Sequence, residues 1–295
     1  MKTFHDCLPC FVTQSLEWLR RCGTSPSIID ETMREVFEKL AIIDYDAPPP
    51  VLAGEIYRTI RRKTGRSDPY VEEKKRFNIF ACNLLSAMRG SVEQAENRIL
   101  TGVKLAIAAN IIDFGKYGKL SEEDVQLCFD RALSEELDLA ALGRLEQAVR
   151  EAKLILYLCD NAGEIIFDRF FIESLPTEKL ICAVRGAPVI NDATWEDALW
   201  AKLPDIVPVI TNGHDAPGTV IDKCSEGFRK TFDEADLIIA KGQGNFETLS
   251  ETRGKRIFFL LQVKCPVIAR DAGYPHGSFV VKEHYLCQAA ENKYR

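Results

Sequence analysis

The rhythm of hydrophobic positions changes near Ala152. Before it, apolar residues recur at roughly helical spacing in five segments: Phe11 to Arg21, Ile28 to Leu40, Leu52 to Thr64, Val71 to Met88 and Val92 to Ala109. Pro48 to Pro50 breaks the pattern between the second and third segments, and Ser67-Asp68-Pro69 precedes the fourth. The acids after Ser121 predict a further helix start. Beyond Ala152, short apolar runs alternate with helical segments. The runs Leu154–Cys159, Leu180–Val184, Ile206–Ile210, Leu237–Ala240 and Ile257–Leu261 predict strands. Between them lie the helical stretches Ile165–Leu175, Trp195–Lys202, Val220–Glu234 and Phe246–Glu251. This alternation predicts an α/β fold with a mostly parallel sheet covered on both faces. Right-handed crossovers would then bring every strand's carboxyl end to one edge. The division suggests a mainly helical region over residues 1–150 and an α/β region over 151–295.

That edge carries a biased set of residues. The first strand ends in Asp160-Asn161 and leads through Gly163-Glu164 into a helix. The second ends in Arg185-Gly186 and leads to Asn191-Asp192. The third ends in Thr211 to Asp215, the fourth in Lys241-Gly242-Gln243-Gly244-Asn245, and the fifth in Lys264-Cys265-Pro266. In open α/β sheets ligands bind outside these carboxyl ends. Each motif also has a plain reading. Asp160-Asn161 also suits a turn, and Asp192 suits a cap for the helix of Trp195. The glycines after Lys241 lack the spacing of either common nucleotide fingerprint. Their convergence on one edge favours a ligand site. Asp160, Asn161 and Asp192 offer only oxygen, which suits hard cations such as Mg²⁺ or Mn²⁺. Lys241 or Lys264, with amides of the glycine turn, would then hold phosphate oxygens. Asn110 and Asp113 are polar positions at an apolar helix end, fit either for capping or for the pocket.

Composition narrows the partners. The 295 residues are 46% hydrophobic and 28% charged with a formal net charge of −6, so no global field recruits nucleic acid or an anionic membrane. The basic run Arg58 to Arg66 reads as a solvated helix face. No stretch is apolar enough for a membrane span, and the first residues lack the apolar core of a signal peptide. Ten cysteines, several within apolar runs, read as reduced thiols of a cytoplasmic protein. Cys7 and Cys10 have the spacing of a zinc half-site or a redox pair, but no second close pair accompanies them.

In this order and spacing, Cys7-Leu8-Pro9-Cys10, Asp68-Pro69-Tyr70 with Lys74 and Asn78, Asn110 with Asp113, Asp160 to Glu164, Asn191 to Thr194, Lys241 to Asn245 and Lys264 to Pro266 resemble the damage-control phosphatase family, formerly a domain of unknown function. The resemblance covers nearly the whole chain. The N-terminal CxxC resembles the mark of that family's first subfamily. The resemblance implies a helical N-terminal region packed on a C-terminal three-layer α/β/α, Rossmann-like domain. It implies a metal-dependent phosphatase of small phosphometabolites, with Mn²⁺, Ni²⁺, Co²⁺ or Mg²⁺ as candidate cofactors. Carried onto this chain, the metal ligands would be Asp160, Asn161 and Asp192, while Lys241, Gly242 and Asn245 would face phosphate. Gly163 and Glu164 would form part of the phosphate-facing wall, and Asn110 and Asp113 would contribute to the leaving-group pocket. Catalysis is expected to rest on Asp160, Asp192 and Lys241, either through an activated water or through an aspartyl-phosphate at Asp160. Two other readings are an S-adenosylmethionine-dependent carboxyl methyltransferase and a metal- or metabolite-binding protein without turnover. The first strand lacks the glycine-rich turn expected of the former.

Overall fold

A computed structural model of the chain describes residues 1–93, 95–111, 129 and 133–287. Five helices come first: α1 (Leu8–Arg21), α2 (Pro26–Ala41), α3 (Pro49–Thr64), α4 (Val71–Glu93) and α5 (Arg98–Ala108). Pro49 and Pro50 do more than interrupt the pattern. They form the first turn of α3, where a missing N–H breaks no intrahelical bond. Helices α1 to α3 pack around Trp18, Tyr57 and Tyr70, with the Trp18 and Tyr57 rings 4.4 Å apart. The basic run of α3 pairs within the chain. Arg58 and Arg61 both reach Asp215, and Arg62 reaches Glu35. The helix start expected at Ser121 lies outside the described residues.

The chain then alternates. Helix α6 (Leu139–Glu151) leads to β1 (Ile155–Leu158), α7 (Glu164–Ile172), β2 (Leu180–Val184), α8 (Trp195–Trp200) and β3 (Val209–Thr211). After these come α9 (Glu226–Glu234), β4 (Leu237–Lys241), α10 (Gly242–Leu249), β5 (Arg256–Gln262), α11 (Pro266–Ala272) and β6 (Phe279–His284). Three of these elements escaped the sequence pattern: α6, α11 and β6. The third strand also starts later than its apolar run, because Leu203–Asp205 forms a 3-10 turn.

The six strands lie in the order β3-β2-β1-β4-β5-β6, and every pairing is parallel except β5 with β6. The expected helical region followed by a mostly parallel α/β sheet is therefore present. Alternate strand residues face opposite cores. Tyr157, Ile239 and Phe258 meet α5, α6 and α7, while Leu156, Ile238 and Phe259 meet α9, α10 and α11. Helix α5, from the N-terminal half, thus belongs to one layer of the sandwich. Gly102 permits this: a β-carbon there would lie 3.0 Å from the Phe171 backbone on α7.

The order reverses at β1 and β4, so α7 and α10 leave these neighbouring strands toward opposite faces. Such a switch point opens a crevice at the strand ends. Among the described residues no helix is long and apolar enough to cross a membrane.

One carboxyl on α10 carries a pH signature. Burial pushes Glu247 up to about 7, against the pull of the Gln243 amide, which donates to it at 2.8 Å. A raised carboxyl binds its proton more tightly in the folded state. Its stabilisation is full below the unfolded value and is lost as pH rises toward 7. Glu247→Gln is expected to match the wild type near pH 4 and to exceed its stability by about 1–3 kcal/mol at pH 8. Denaturant titrations at both values would check this, and equal stability at pH 8 would count against it.

Candidate active site

The chain leaves β1 through Asp160 and Asn161 and enters α7 at Glu164. The loop after β2 folds back on this segment. Asn161 and Asp192 form an antiparallel bridge. The Ala193 N–H donates to the Asp160 carbonyl at 2.7 Å, and the Ala162 N–H donates to the Asn191 carbonyl at 2.9 Å. This backbone zipper brings Asp160, Asn161 and Asp192 together, as the sequence reading grouped them. Asp192 does not cap α8. Thr194 does, with its N–H and hydroxyl both on Asp197 at 2.9 Å.

One guanidinium ties the two carboxylates together. Arg185 donates from Nε to Asp192 Oδ2 at 2.6 Å, and its Nη2 lies 3.7 Å from Asp160 Oδ1. The other Asp160 oxygen accepts from the Asn110 amide at 3.0 Å and the Asn161 amide at 2.7 Å. The same two amides reach Glu164 at 2.7 and 3.1 Å. Burial pushes the Asp160 carboxyl well above its ordinary range, and repulsion from Glu164 and Asp192 pushes it further. Burial also raises Asp192, against the pull of Arg185.

Lys241 does not face a ligand. Its side chain is wholly buried, and its ammonium donates to Glu164 Oε1 at 2.5 Å, Asp168 Oδ1 at 2.6 Å and the Ala106 carbonyl at 2.8 Å. Three partners use all three donors of a lysine. Burial alone would lower its pKa, but Asp168 and Glu164 outweigh that and hold it above its ordinary value. Burial raises Asp168 to about 6 despite Lys241. The expectation that Lys241 holds phosphate oxygens is corrected accordingly: it is the counter-ion of two buried carboxylates. Glu164 is one of these, and the Gly163 N–H is taken by the Asn78 side chain at 2.7 Å, so neither presents itself to phosphate. Asn245 is likewise committed. It donates to the Lys241 and Cys159 carbonyls and accepts from Thr219 and Arg185.

Gly242 does sit at the site, with φ at +77° and its backbone against Asp160. A β-carbon there would fall 1.9 Å from Asp160 Oδ2. Gly242→Ala is therefore expected to displace Asp160 and lower any activity that depends on it by about 10²-fold or more. Activity within twofold of wild type would refute that placement.

Asn110 joins the site, whereas Asp113 lies outside the described residues. Cys7 and Cys10 stand at the start of α1 as free thiols, and burial raises both, the opposite of an activated thiol. Among the described residues no three His, Cys, Asp or Glu side chains form a metal-binding group. The set at the switch point is instead two carboxylates and an amide. Asp160, Glu164, Asp168 and Asp192 contact Lys241 and Arg185, and the charges of Lys264 and Lys74 also bear on Asp160 and Asp192. Two carboxylates and an amide, all offering oxygen, fit a hard divalent cation.

Three contributors carried no role in the sequence reading, although Arg185 and Asn78 stood within its motifs. Arg185 follows an apolar strand just as Asp160 does, and that was its only signal. Asp168 looked like any charge on a helix. Asn78, which steadies Gly163, comes from α4 in the distant N-terminal half.

The model of the damage-control phosphatase ARMT1-like domain matches residues 3–280. This chain belongs to the damage-control phosphatase family. A damage-control phosphatase of Archaeoglobus fulgidus is 36% identical, over 86% of this chain and 88% of its own. One of Pyrococcus horikoshii is 34% identical, over 95% and 97%. An uncharacterised protein of Methanocaldococcus jannaschii is 35% identical, over 85% and 83%. The crystal structure of a DUF89 family protein from Pyrococcus horikoshii superposes with a TM-score of 0.87 at 33% identity, covering 96% of this chain and 99% of that one. The Pyrococcus horikoshii structure therefore shares the fold over nearly the whole length of this chain.

Proposed function

We propose that this member of the family is a metal-dependent phosphatase of small phosphorylated metabolites. The observation that carries the reading is the joining of Asp160, Asn161 and Asp192 at the switch point, inside a buried network of four carboxylates. The names of the relatives from Archaeoglobus fulgidus and Pyrococcus horikoshii support phosphatase chemistry.

Asp160, Asn161 and Asp192 would hold the metal, with Mn²⁺, Mg²⁺, Co²⁺ and Ni²⁺ as candidates. When bound, it supplies Lewis-acid polarisation of a phosphoryl oxygen and a more acidic water. The chain's own residues do the rest. Asn110 and Asn161 fix the Asp160 carboxylate from one side and Gly242 confines it from the other. Asp192, held by Arg185, orients the attacking water and takes its proton. Lys241 sets the position of Glu164, which accepts from the same amides that hold Asp160.

The test is direct. Protein stripped of metal is expected to release no phosphate from a panel of monoesters, and to regain turnover with one or more of the four cations. Full activity after stripping would remove the metal from the mechanism. No release with any cation would remove the phosphatase reading itself.

A further inference from the structure

We infer that the phosphoryl group of the substrate rests on Arg185, and that its esterified group lies in the adjoining cleft between α4 and α8, which selects an aromatic ring. This rests on the phosphatase reading of the site.

Arg185 is the inner end of the cleft. Its side chain is almost fully buried, and Nε and Nη1 are taken by Asp192, Asn245 and Thr219. Nη2 is buried with no hydrogen-bond partner among the described residues. Its 3.7 Å separation from Asp160 Oδ1 is too long for a hydrogen bond. A guanidinium is always charged, and buried donors seek acceptors. An anionic oxygen at Nη2 would meet that demand beside the two carboxylates that would hold the metal. Geometry thus assigns to Arg185 the role that the sequence suggested for Lys241 or Lys264.

The cleft encloses about 470 Å³. Its inner polar side chains are engaged with one another. Lys74 donates to Asp197 and Thr194, Asn78 donates to Asp197 and accepts from Gly163, and Asp68 accepts from the Tyr70 N–H. The walls open to a ligand carry Val71, Pro188, Trp195 and Trp200, with Lys75, Glu196 and Thr211 exposed at the rim. Both tryptophans are held open, Trp195 at 40% and Trp200 at 44% exposure, whereas the third in the chain, Trp18, is buried in the α1–α3 core. A polyhydroxylated group would find its donors and acceptors only at the rim, on Lys75, Glu196 and Thr211, and not deeper in the cleft. A flat apolar ring needs only the indole faces. The cleft therefore favours aryl or heteroaryl phosphates over polyol phosphates.

The holoenzyme would be assayed with an aryl phosphate, a hexose phosphate and glycerol phosphate. Expected is the highest kcat/KM for the aryl ester. Trp195→Ala and, separately, Trp200→Ala are expected to shrink the aryl-to-glycerol preference by about tenfold, mainly through KM. Preference for the hexose ester, or an equal fall on all three, would overturn the cleft assignment. Calorimetry with inorganic phosphate tests the anchor independently of turnover. Arg185→Gln is expected to weaken phosphate binding at least tenfold while leaving metal affinity unchanged or tighter, since a cation next to the metal has been removed. Loss of metal affinity in step with phosphate would show that Arg185 only positions Asp192. If no monoester is hydrolysed, the phosphatase reading fails alone, and the phosphate titrations still decide the anchor.

Discussion

Asp160→Ala is expected to lower phosphate release by roughly 10³-fold and to abolish metal binding at micromolar concentrations. The metal-free variant is expected to melt no lower than the wild type. Both expectations come from one feature. Burial and two neighbouring carboxylates push the Asp160 carboxyl well above its ordinary range, so in the metal-free fold it is a liability. Its removal relieves like-charge repulsion while deleting an oxygen donor. Asp192→Ala is the instructive contrast. It also removes a donor, but it strips Arg185 of its 2.6 Å partner and leaves a buried charge less compensated. That variant should lose both activity and stability. Calorimetry with Mn²⁺ and thermal melts of the two metal-free variants would separate the cases. Undiminished metal affinity in Asp160→Ala would refute the ligand assignment.

Lys241→Met is expected to cost about 3–5 kcal/mol of stability at pH 7. Among the described residues the ammonium is the only cation paired with Glu164 and Asp168, and its three donors have three acceptors. Methionine matches its length but leaves two carboxylates facing each other in a dry interior. The penalty should shrink on acidification, because Asp168 already titrates at about 6 beside its lysine and would rise further without it. Adding Asp168→Asn to Lys241→Met should recover part of the loss. Arginine is not expected to rescue, since a planar fork cannot reproduce three converging contacts. Urea titrations of the single and double variants at pH 5 and 7 would decide. A loss under 1 kcal/mol for Lys241→Met would show that the ammonium is not the essential counter-ion.

Much of the fold was legible because its signals are local. Short apolar runs bounded by glycine and polar residues marked β1, β2, β4 and β5, and α1 to α4 began within a few residues of their periodic segments. The omissions also have local causes. Strand β6 is an antiparallel edge strand, with Lys282, Glu283 and His284 only partly buried, so it lacks the continuous apolar run of its neighbours. Helix α11 is seven residues long, too short for a periodicity to show. Asp138 caps α6 and introduces a buried Leu142, Leu145 and Val149 face, a short apolar stripe in an otherwise mixed segment.

The candidate site divides in the same way. Asp160-Asn161 and Asp192 could be grouped from sequence because each follows a parallel strand, and parallel strands share a carboxyl edge. What a strand end does not contain is the direction of a side chain or the identity of its partner. Lys241 and Arg185 both follow apolar strands. The turn into α10 sends Lys241 inward to Glu164 and Asp168, while the bridge between Asn161 and Asp192 holds Arg185 beside both carboxylates with one donor unused. Those outcomes depend on contacts 7 to 77 residues apart in the chain. Sequence by itself therefore determined the sheet, the edge its strand ends share and the oxygen-bearing side chains gathered there, through periodicity and residue chemistry. The tertiary structure alone decided which cation balances the core and which keeps an unpaired donor, because pairing among buried charges is settled by three-dimensional proximity.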